Sequence, residues 1–225
     1  MKIGIIIQAR MGSSRLPGKV LKKIKGRSIL EYVVARAKKI NNIDEIIVAT
    51  TENPEDDEIV KICKLKGISF FRGSENDVLS RYFDCAKKFK LDHIVRLTSD
   101  NPLIDIIELN RLVNMHLISL CDYSESMTNL PVGIGSEIFS FYALEQSFLF
   151  GTLPHHREHV NEYVLENKSK FNTMTLEASI TKNIIDRKLS IDTIEDFNYV
   201  SKIFHMGKND LISLDEVIKI CSRFV

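Results

Sequence analysis

The sequence predicts an α/β fold in which helices cover a mainly parallel sheet, with an inserted α+β excursion at residues 121–180. Two observations support this prediction. Short apolar runs alternate with helical patterns up to residue 98, which is the rhythm of right-handed strand–helix–strand units. That rhythm breaks after Cys121. At 225 residues the chain is long for one small domain and short for two, so we expect one domain, 1–225.

The first apolar run, Lys2 to Ile7, ends in three isoleucines and predicts a central strand that is buried on both faces. The next residues contain three cations, two hydroxyls and two glycines, namely Arg10, Arg15, Lys19, Ser13, Ser14, Gly12 and Gly18. This composition is typical of a loop that cradles a polyphosphate, because glycines let backbone N–H groups approach a ligand closely. A basic surface loop that binds nothing is the alternative.

Two better-known phosphate loops do not fit this segment. A P-loop needs four residues between its first glycine and Gly-Lys, followed by Ser or Thr. Here five residues separate Gly12 from Gly18, and Val20 follows Lys19. The dinucleotide fingerprint Gly-x-Gly-x-x-Gly is also absent from the sequence.

The elements after this loop keep the same rhythm. Ser28 and Glu31 form a capping-box pattern, which predicts a helix over 29–40. We then expect a strand at 45–51, a helix from 54 to 66, a strand at 68–71, a helix that begins near residue 78 and a strand at 93–98. This order predicts a Rossmann-like sheet. Ligands of such sheets bind beyond the carboxyl ends of the strands, so the loops after strands one, three and four should converge.

The excursion has three predicted strands and two predicted helices, at 122–127, 135–140, 171–176, 142–148 and 159–167. We expect it to form one side of the ligand cleft. Because its strands lack sheet neighbours, we also expect a homodimer contact there. The chain then returns with a short strand at 189–191, a helix capped by Thr193 with Asp196 at its third position, and a last helix at 214–224.

The overall composition excludes several classes of protein. Lys and Arg number 31 against 30 Asp and Glu, a formal net charge of +1, so no nucleic-acid-binding surface is expected. The four cysteines are far apart and the first apolar run is only a strand long, which favours a cytoplasmic protein without a signal peptide. No segment approaches the roughly 18 apolar residues that span a membrane.

Two aspartates are candidates for binding a metal ion. Asp100 follows the predicted strand at 93–98, and Asp192 follows the one at 189–191. Magnesium prefers one or two protein carboxylates together with phosphate oxygens and water. Both residues are therefore predicted Mg²⁺ ligands, and a capping role is the alternative. Asp196 fits a capping role better than catalysis.

The segment Gln-Ala-Arg-Met-Gly-Ser-Ser-Arg-Leu-Pro-Gly-Lys at 8–19 resembles the cytidylyltransferases that activate acidic sugars as CMP derivatives. It looks most like the branch named after a spore-coat polysaccharide biosynthesis protein. The resemblance implies a nucleotide-sugar transferase type of sheet and catalytic roles for Arg10, Lys19, Asp100 and Asp192. It implies nucleotide binding by Gln8, Ala9, Arg10, Gly12, Ser13, Ser14, Arg15, Lys19, Arg72 and Ser99. It also implies that Asp100 and Asp192 hold the metal.

Other predicted roles are less specific. Arg72 resembles a residue near the cytosine base, and a solvated arginine beside an Asp77–Arg81 pair on a helix is the alternative. The acceptor is expected to contact Glu137, His156, Arg157 and His159, again by resemblance. A zinc site in this histidine-rich stretch is not favoured, because the His-Glu-x-x-His pattern is missing.

These features predict a magnesium-dependent nucleotidyltransferase. It would transfer CMP from CTP to an acidic or phosphorylated sugar and release pyrophosphate, for surface polysaccharide or glycan biosynthesis. One alternative is a glycosyltransferase of related fold, although Asp100-Asn101-Pro102 lacks the second Asp of an Asp-x-Asp motif. The other is a nucleotide-binding protein without catalytic activity.

Overall fold

The computed structural model describes residues 1–128, 130–178 and 187–224. Its strands are β1 (Ile3–Gln8), β2 (Lys23–Ile24), β3 (Arg27–Ser28), β4 (Glu45–Thr51), β5 (Ser69–Gly73), β6 (His93–Thr98), β7 (Tyr123–Glu125), β8 (Glu137–Ser140) and β9 (Thr173–Thr175). Its helices are α1 (Ile29–Ala37), α2 (Asp57–Lys66), α3 (Val78–Phe89), α4 (Ile106–Ile118), α5 (Phe141–Phe150), α6 (Pro154–Glu158), α7 (Glu162–Glu166), α8 (Ile194–Met206) and α9 (Leu214–Cys221).

Within these residues seven strands form one sheet in the order β5-β4-β1-β6-β8-β7-β9. The pairs β5–β4, β4–β1 and β1–β6 are parallel, and β8 runs antiparallel to β6 and to β7. β9 is parallel to β7. The predicted Rossmann-like, mainly parallel sheet is confirmed. The carboxyl ends of β1 and β6 lie side by side, so the loops that follow them start next to each other.

The central strand is buried on both faces, as its isoleucines predict. Ile5 and Ile7 belong to the apolar cluster that contains Val33 of α1. Ile6 points the other way and belongs to the cluster that contains Leu79 of α3. All three isoleucines have no solvent exposure. β1 is therefore held between two apolar layers in the centre of the sheet, and its loop begins at the carboxyl edge.

Most predicted helices are present, and their ends are set by local chemistry. α1 begins at the predicted capping box, in which Ser28 accepts from the Glu31 amide and the Glu31 side chain accepts from the Ser28 amide. A 3₁₀ turn at Pro54–Asp56 leads into α2. α4 was not predicted; its N-cap is Asp105, whose carboxylate accepts from the amides of the first turn. None of the helices that the structure describes is long and apolar enough to cross a membrane.

Two expectations need correction. The strands of the excursion do not lack neighbours, because β8 pairs with both β6 and β7 and only the short β9 forms the edge. The reason given for a homodimer is therefore wrong, although the homodimer itself stays a prediction. The expected strand at 189–191 is also absent from the described residues, where Ile191 N instead donates to Asp100 O at 2.9 Å. The last two residues of the excursion, 179–180, lie outside the described ranges.

Candidate active site

The loop after β1 folds back onto one of its own carbonyl groups. Met11 O accepts from Ser13 N at 2.8 Å and from Gly18 N at 3.0 Å. Gly18 closes this turn with a φ of 67°, a left-handed conformation that costs glycine little and other residues more. The 3₁₀ helix Lys19–Leu21 follows directly. The loop therefore has a defined shape that presents Lys19 at its end.

A single buried carboxylate fastens this loop to the end of β4. Asp56 is 1% exposed, and its Oδ1 accepts from Met11 N at 2.7 Å. Its Oδ2 accepts from Thr51 N at 3.1 Å and from the Thr51 hydroxyl. Sequence reasoning missed this role, because Asp56 lies in a run of acidic residues that is typical of a solvated turn.

A first cavity of about 410 Å³ opens between this loop and the ends of β1 and β6. It is lined by Gln8, Arg10, Gly12, Ser13, Ser14, Arg15, Lys19, Val20, Glu75, Thr98, Ser99, Asp100 and Asp192. The structure thus brings together the predicted nucleotide-binding residues except Ala9 and Arg72. Ala9 is buried and its amide donates to Ala49 O at 3.1 Å. Glu75 was not predicted.

Lys19 holds the two predicted metal ligands together. Its Nζ donates to Asp100 Oδ2 at 2.7 Å, to Asp192 Oδ1 at 3.1 Å and to Ile191 O at 2.8 Å. Arg15 lies 3.0 Å from Asp192 Oδ1, and Lys188 lies 3.1 Å from Asp192 Oδ2. Burial alone would raise the pKa of Asp192, but the hydrogen bonds and charges of Lys19 and Lys188 outweigh burial and lower it.

Asp196 has the capping role that was predicted. Its Oδ2 accepts from Asp192 N at 3.0 Å and from Thr193 N at 2.9 Å, and Thr193 Oγ1 accepts from Asp196 N at 3.3 Å. Lys188 Nζ lies 2.7 Å from the same carboxylate. These bonds start α8 and at the same time fix the backbone of Asp192, so the cap holds a residue of the first cavity in place.

A second cavity of about 460 Å³ adjoins the first. It is lined by Gln8, Arg10, Glu75, Asn76, Val78, Arg96, Pro154, Arg157, Glu158 and His159. Gln8, Arg10 and Glu75 line both cavities. Of the predicted acceptor residues, Arg157 and His159 are here. Arg157 is held in place, because its NH2 donates to Phe148 O at 3.1 Å and its NH1 lies 3.5 Å from Asp77 Oδ2.

Arg72 does not face either cavity. Its Nε donates to Thr51 O and its NH2 to Asn53 O, both at 2.8 Å, and its NH1 lies 2.5 Å from Asp57 Oδ1. The guanidinium therefore stabilises the turn after β4 and is not available to a base.

The alternative Asp77–Arg81 pair is wrong as well. Asp77 caps α3 by accepting from Ser80 N at 2.8 Å, and Arg81 donates to Ser74 O. Both side chains thus support the backbone around residues 74–80.

The expectation that Glu137 orients an acceptor hydroxyl is wrong, because its carboxylate is occupied by protein groups. Glu137 is 2% exposed, and its two oxygens accept from Arg96 and, at 2.6 Å, from the Tyr123 hydroxyl. Burial would lower the pKa of Arg96, but the charge of Glu137 outweighs burial and raises it. Glu137 therefore fixes the orientation of the Arg96 guanidinium at the second cavity. Arg96 was overlooked, although an arginine in the middle of an apolar strand is a clear signal.

His156 has a structural role, so the expectation that it contacts the acceptor is wrong. His156 is 5% exposed; its Nδ1 accepts from Leu153 N at 3.4 Å, and its Nε2 lies 2.8 Å from Glu166. His155 Nε2 lies 2.8 Å from the other Glu166 oxygen, so these three side chains form a cluster of metal-ligand types. A neutral imidazole that accepts at Nδ1 carries its proton on Nε2, which then donates to Glu166 instead of binding a metal.

Two known proteins are similar to this chain over nearly its whole length. The chain is 32% identical over 97% of its length to the spore coat polysaccharide biosynthesis protein SpsF of Bacillus subtilis, covering 93% of that protein. It superimposes with a TM-score of 0.93 and 36% identity on the structure of a cytidylyltransferase from Leptospira borgpetersenii, covering 100% of this chain and 95% of that one.

A more distant structure shares the fold alone. It is a CMP:2-keto-3-deoxy-manno-octonic acid synthetase in complex with CTP, with a TM-score of 0.70 and 19% identity, covering 91% of this chain and 99% of that one. The sequence model of the family described as cytidylyltransferase matches residues 4–220. These matches confirm the resemblance to the cytidylyltransferases, and the chain therefore belongs to the cytidylyltransferase family and is an enzyme of the nucleotidyltransferase class.

Proposed function

We propose that this enzyme transfers CMP from CTP to an acidic or phosphorylated sugar and releases pyrophosphate. The observation that carries the proposal is the pair of adjoining cavities, which share Gln8, Arg10 and Glu75. A nucleotide in the first cavity and an acceptor in the second would meet at this shared wall. The CTP complex of the CMP:2-keto-3-deoxy-manno-octonic acid synthetase and the name of SpsF support the choice of CTP and a polysaccharide precursor.

The chemistry asks the protein mainly to position groups and to neutralise charge. An oxygen of the acceptor attacks the α-phosphorus of CTP and a new P–O bond forms. The bond from that phosphorus to the β-phosphate oxygen breaks, and pyrophosphate leaves with the electron pair. When the attacking oxygen belongs to a hydroxyl, its proton passes to solvent.

The side chains of the first cavity suit this task. Arg15 and Lys19 would bind the leaving pyrophosphate, on which charge grows during the reaction. Ser13, Ser14 and the loop amides would bind the α- and β-phosphates. Arg10 has no ion pair with a carboxylate of the described residues and lines both cavities. Its guanidinium would therefore donate to the oxygens of the α-phosphate, which is the group that is transferred.

A divalent cation fits the carboxylates of this cavity, and cytidylyltransferases generally use one. Asp100 Oδ2 and Asp192 Oδ1 lie close enough to contact the same ammonium group of Lys19, so their oxygens already share one positive charge. These two residues would hold Mg²⁺. When bound, the ion would neutralise phosphate charge and lower the pKa of a hydroxyl beside it. Lys19 would then be free to bind phosphate oxygens.

The acceptor side supports an anionic sugar. Arg10 and Arg157 line the second cavity together with His159, and Arg96 lines it as a guanidinium whose charge Glu137 balances. Glu75 and Glu158 are the acidic side chains of that lining. Asn53 Nδ2 donates to Glu75 Oε2 at 2.6 Å, so one oxygen of the Glu75 carboxylate is bonded to the protein.

A pyrophosphate-release assay tests the proposal. The enzyme is incubated with Mg²⁺, each of the four nucleoside triphosphates, and a panel of sugar acids and sugar phosphates that includes 2-keto-3-deoxy-manno-octonic acid. We expect release that needs both CTP and one class of acidic acceptor. Release without an acceptor, no release with CTP for the whole panel, or glycosyl transfer from a nucleotide sugar would contradict the proposal.

A further inference from the structure

Glu75 is an acidic side chain at the wall that the two cavities share. Its Oε2 accepts from Asn53 Nδ2 at 2.6 Å, which fixes the direction of the carboxylate. A Cβ atom at Gly12 would lie 3.4 Å from Glu75 Oε1, so this second oxygen faces the glycine of the loop after β1. Gly12 lines the first cavity and not the second. Glu75 Oε1 is therefore on the nucleotide side of the shared wall.

This second oxygen is open to a ligand. Within the described ranges of the chain, no hydrogen bond or ion pair reaches Glu75 Oε1. The side chain is only partly buried and Oε1 keeps contact with solvent, so a ligand can touch this atom. The carboxylates of Glu75, Asp100 and Asp192 do not bring oxygens within 4.8 Å of one another in the part of the chain that the structure describes. Glu75 is therefore separate from the proposed metal site.

The charge of Glu75 limits what its free oxygen can bind. An ionised carboxylate only accepts hydrogen bonds. The phosphates of a nucleotide and the acid group of an acceptor are negative as well, so Glu75 repels them. An ammonium group is disfavoured too, because Arg10 lines both cavities and Arg157 lines the second. An uncharged O–H or N–H group is the partner that remains.

The arrangement of the cations indicates which part of a nucleotide carries this donor. Arg15 and Lys19 both contact Asp192, so the β- and γ-phosphates would bind at that end of the first cavity. Arg10 shares the wall with Glu75 and would contact the α-phosphate. The nucleoside is bonded to the α-phosphate and extends away from the other two phosphates. It is therefore the uncharged part of the nucleotide that can reach Glu75.

We propose that Glu75 accepts a hydrogen bond from an uncharged donor of the bound nucleoside and repels phosphates from that end of the cavity. The proposal rests on the proposed function, in which the first cavity binds CTP. Two donors of the nucleoside offer the same chemistry, namely a ribose hydroxyl and the amino group of cytosine. Glu75 is then a specificity residue for the nucleotide, and it also orients the triphosphate toward Lys19.

Glu75→Gln reverses the hydrogen-bonding character of the free position. Asn53 donates to the Oε2 position, so the amide oxygen of Gln stays there and the NH₂ group replaces Oε1. The nucleoside donor would then meet another donor. Loss of a negative charge by itself should strengthen the binding of any anion. The proposal and a purely electrostatic role of Glu75 therefore predict changes of opposite sign in the affinity for CTP.

Isothermal titration calorimetry with Mg²⁺ and without an acceptor measures this sign. We expect Glu75→Gln to raise the Kd for CTP about ten-fold, because a hydrogen bond to a charged acceptor is lost. The Kd for inorganic triphosphate should stay the same or fall, which also shows that the variant is folded. Unchanged or tighter binding of CTP, or an equal loss for both ligands, overturns the proposal. Glu55→Gln is the matched control, since Glu55 is exposed and lines neither cavity.

Analogues of CTP then identify the donor. The 2′-deoxy and 3′-deoxy forms of CTP each lack one ribose hydroxyl, and UTP has an oxygen in place of the amino group. The effect of Glu75→Gln should shrink for the analogue that lacks the bonded donor and remain for the others. An effect that persists in full with all three analogues overturns the hydrogen bond.

These binding measurements need no turnover, so the two proposals can fail separately. CTP binding that depends on Glu75, without transfer to any acceptor, supports the role of Glu75 and contradicts only the proposed function. CTP binding and transfer that are the same in the unmodified enzyme and in Glu75→Gln overturn only the role of Glu75.

Discussion

The first cavity is lined mainly by one continuous loop, whereas the second is assembled from separate segments of the chain. Residues 10–20 and the two aspartates account for most of the first cavity. The second collects Arg96 from β6, residues 75–78 and residues 154–159. A continuous loop can be fastened at one point, here Asp56, while the second cavity depends on how several elements pack. The nucleotide side should therefore respond strongly to few substitutions, and the acceptor side weakly to many.

The two cavities also balance charge in different ways. In the first, Lys19 lies between two partly buried carboxylates, Asp100 and Asp192, and a cation or the phosphates of a nucleotide would compete for these ion pairs. In the second, the charge of Arg96 is balanced by Glu137, which is buried and bonded on both oxygens. Ligands can therefore break and replace the ion pairs of Lys19 in the first cavity, whereas the Arg96–Glu137 pair of the second cavity is formed before any ligand binds.

The largest expected effect is on turnover when the first cavity loses its central cation. Lys19→Met should lower kcat for pyrophosphate release about a hundred-fold, because a donor to the growing charge on the leaving group is lost. Lys23→Met is the control, since Lys23 is exposed and lines neither cavity. Equal kinetics in both variants would remove Lys19 from the mechanism.

The next effect is on stability, and it tests whether one residue fastens the loop. Asp56→Asn should lower the free energy of unfolding in urea by roughly 2–3 kcal/mol, because an amide N–H₂ replaces a charged acceptor that faces buried donors. Asp57→Asn removes only an exposed ion pair with Arg72 and should cost less than about 1 kcal/mol. Similar losses in the two variants would show that Asp56 is not a special anchor.

A third effect concerns metal binding without nucleotide, measured by electron paramagnetic resonance of Mn²⁺. Lys19→Met should bind Mn²⁺ about ten-fold more tightly than the unmodified enzyme, because Asp100 and Asp192 lose the ammonium that they share. Lys188→Met removes the same charge from Asp192 but not from Asp100, so its effect should be smaller. Mn²⁺ affinity that is the same in all three proteins would mean that these carboxylates do not bind the ion.

The smallest effect is a pH dependence on the acceptor side of the sheet. His116 is fully buried, and burial together with His93 lowers its pKa to about 3. Its Nδ1 lies 2.8 Å from Ser124 Oγ of β7 and its Nε2 2.9 Å from His93 Nδ1 of β6. The unfolded chain binds a proton near pH 6.5 and the folded protein does not, so acidification between pH 6.5 and 3 favours unfolding.

Urea unfolding between pH 7.5 and 5 measures this dependence. Stability should be constant above about pH 7 and fall as the pH drops through 6.5, and His116→Asn should show a weaker fall. The same slope in both proteins would assign the acid sensitivity to other groups.

The difference between the cavities also explains what could be predicted from the sequence. Arg10, Ser13, Arg15 and Lys19 follow one buried strand within ten residues, so their convergence needs only a strand and a loop. Asp100 was predicted because it follows a buried strand, and the structure places that strand, β6, beside β1. Asp192 was placed at the tip of a strand that is absent, yet a backbone bond from Ile191 to Asp100 brings it to the same point.

The acceptor side could not be predicted in the same way, because side-chain burial there depends on distant partners. The two carboxylate oxygens of Glu137 accept from Arg96, which lies 41 residues earlier in the sequence, and from Tyr123, so they do not face an acceptor. The Nε2 atom of His156 is likewise occupied, because it contacts the Glu166 carboxylate. Arg72 lines neither cavity, because its guanidinium donates to Thr51 O and Asn53 O. The spacing of these residues in the sequence contains no information on which partner each one meets.

The most direct test of two cavities that meet at one reaction centre is a reciprocal change of the two KM values. Arg15→Met and Arg157→Met each remove one guanidinium, from the first and the second cavity respectively. We predict that Arg15→Met raises the KM for CTP about ten-fold and leaves the acceptor KM unchanged, and that Arg157→Met raises the acceptor KM by a smaller factor, about three-fold, and leaves the KM for CTP unchanged. If both variants raise the same KM, or neither raises any, the assignment of nucleotide and acceptor to separate cavities is wrong.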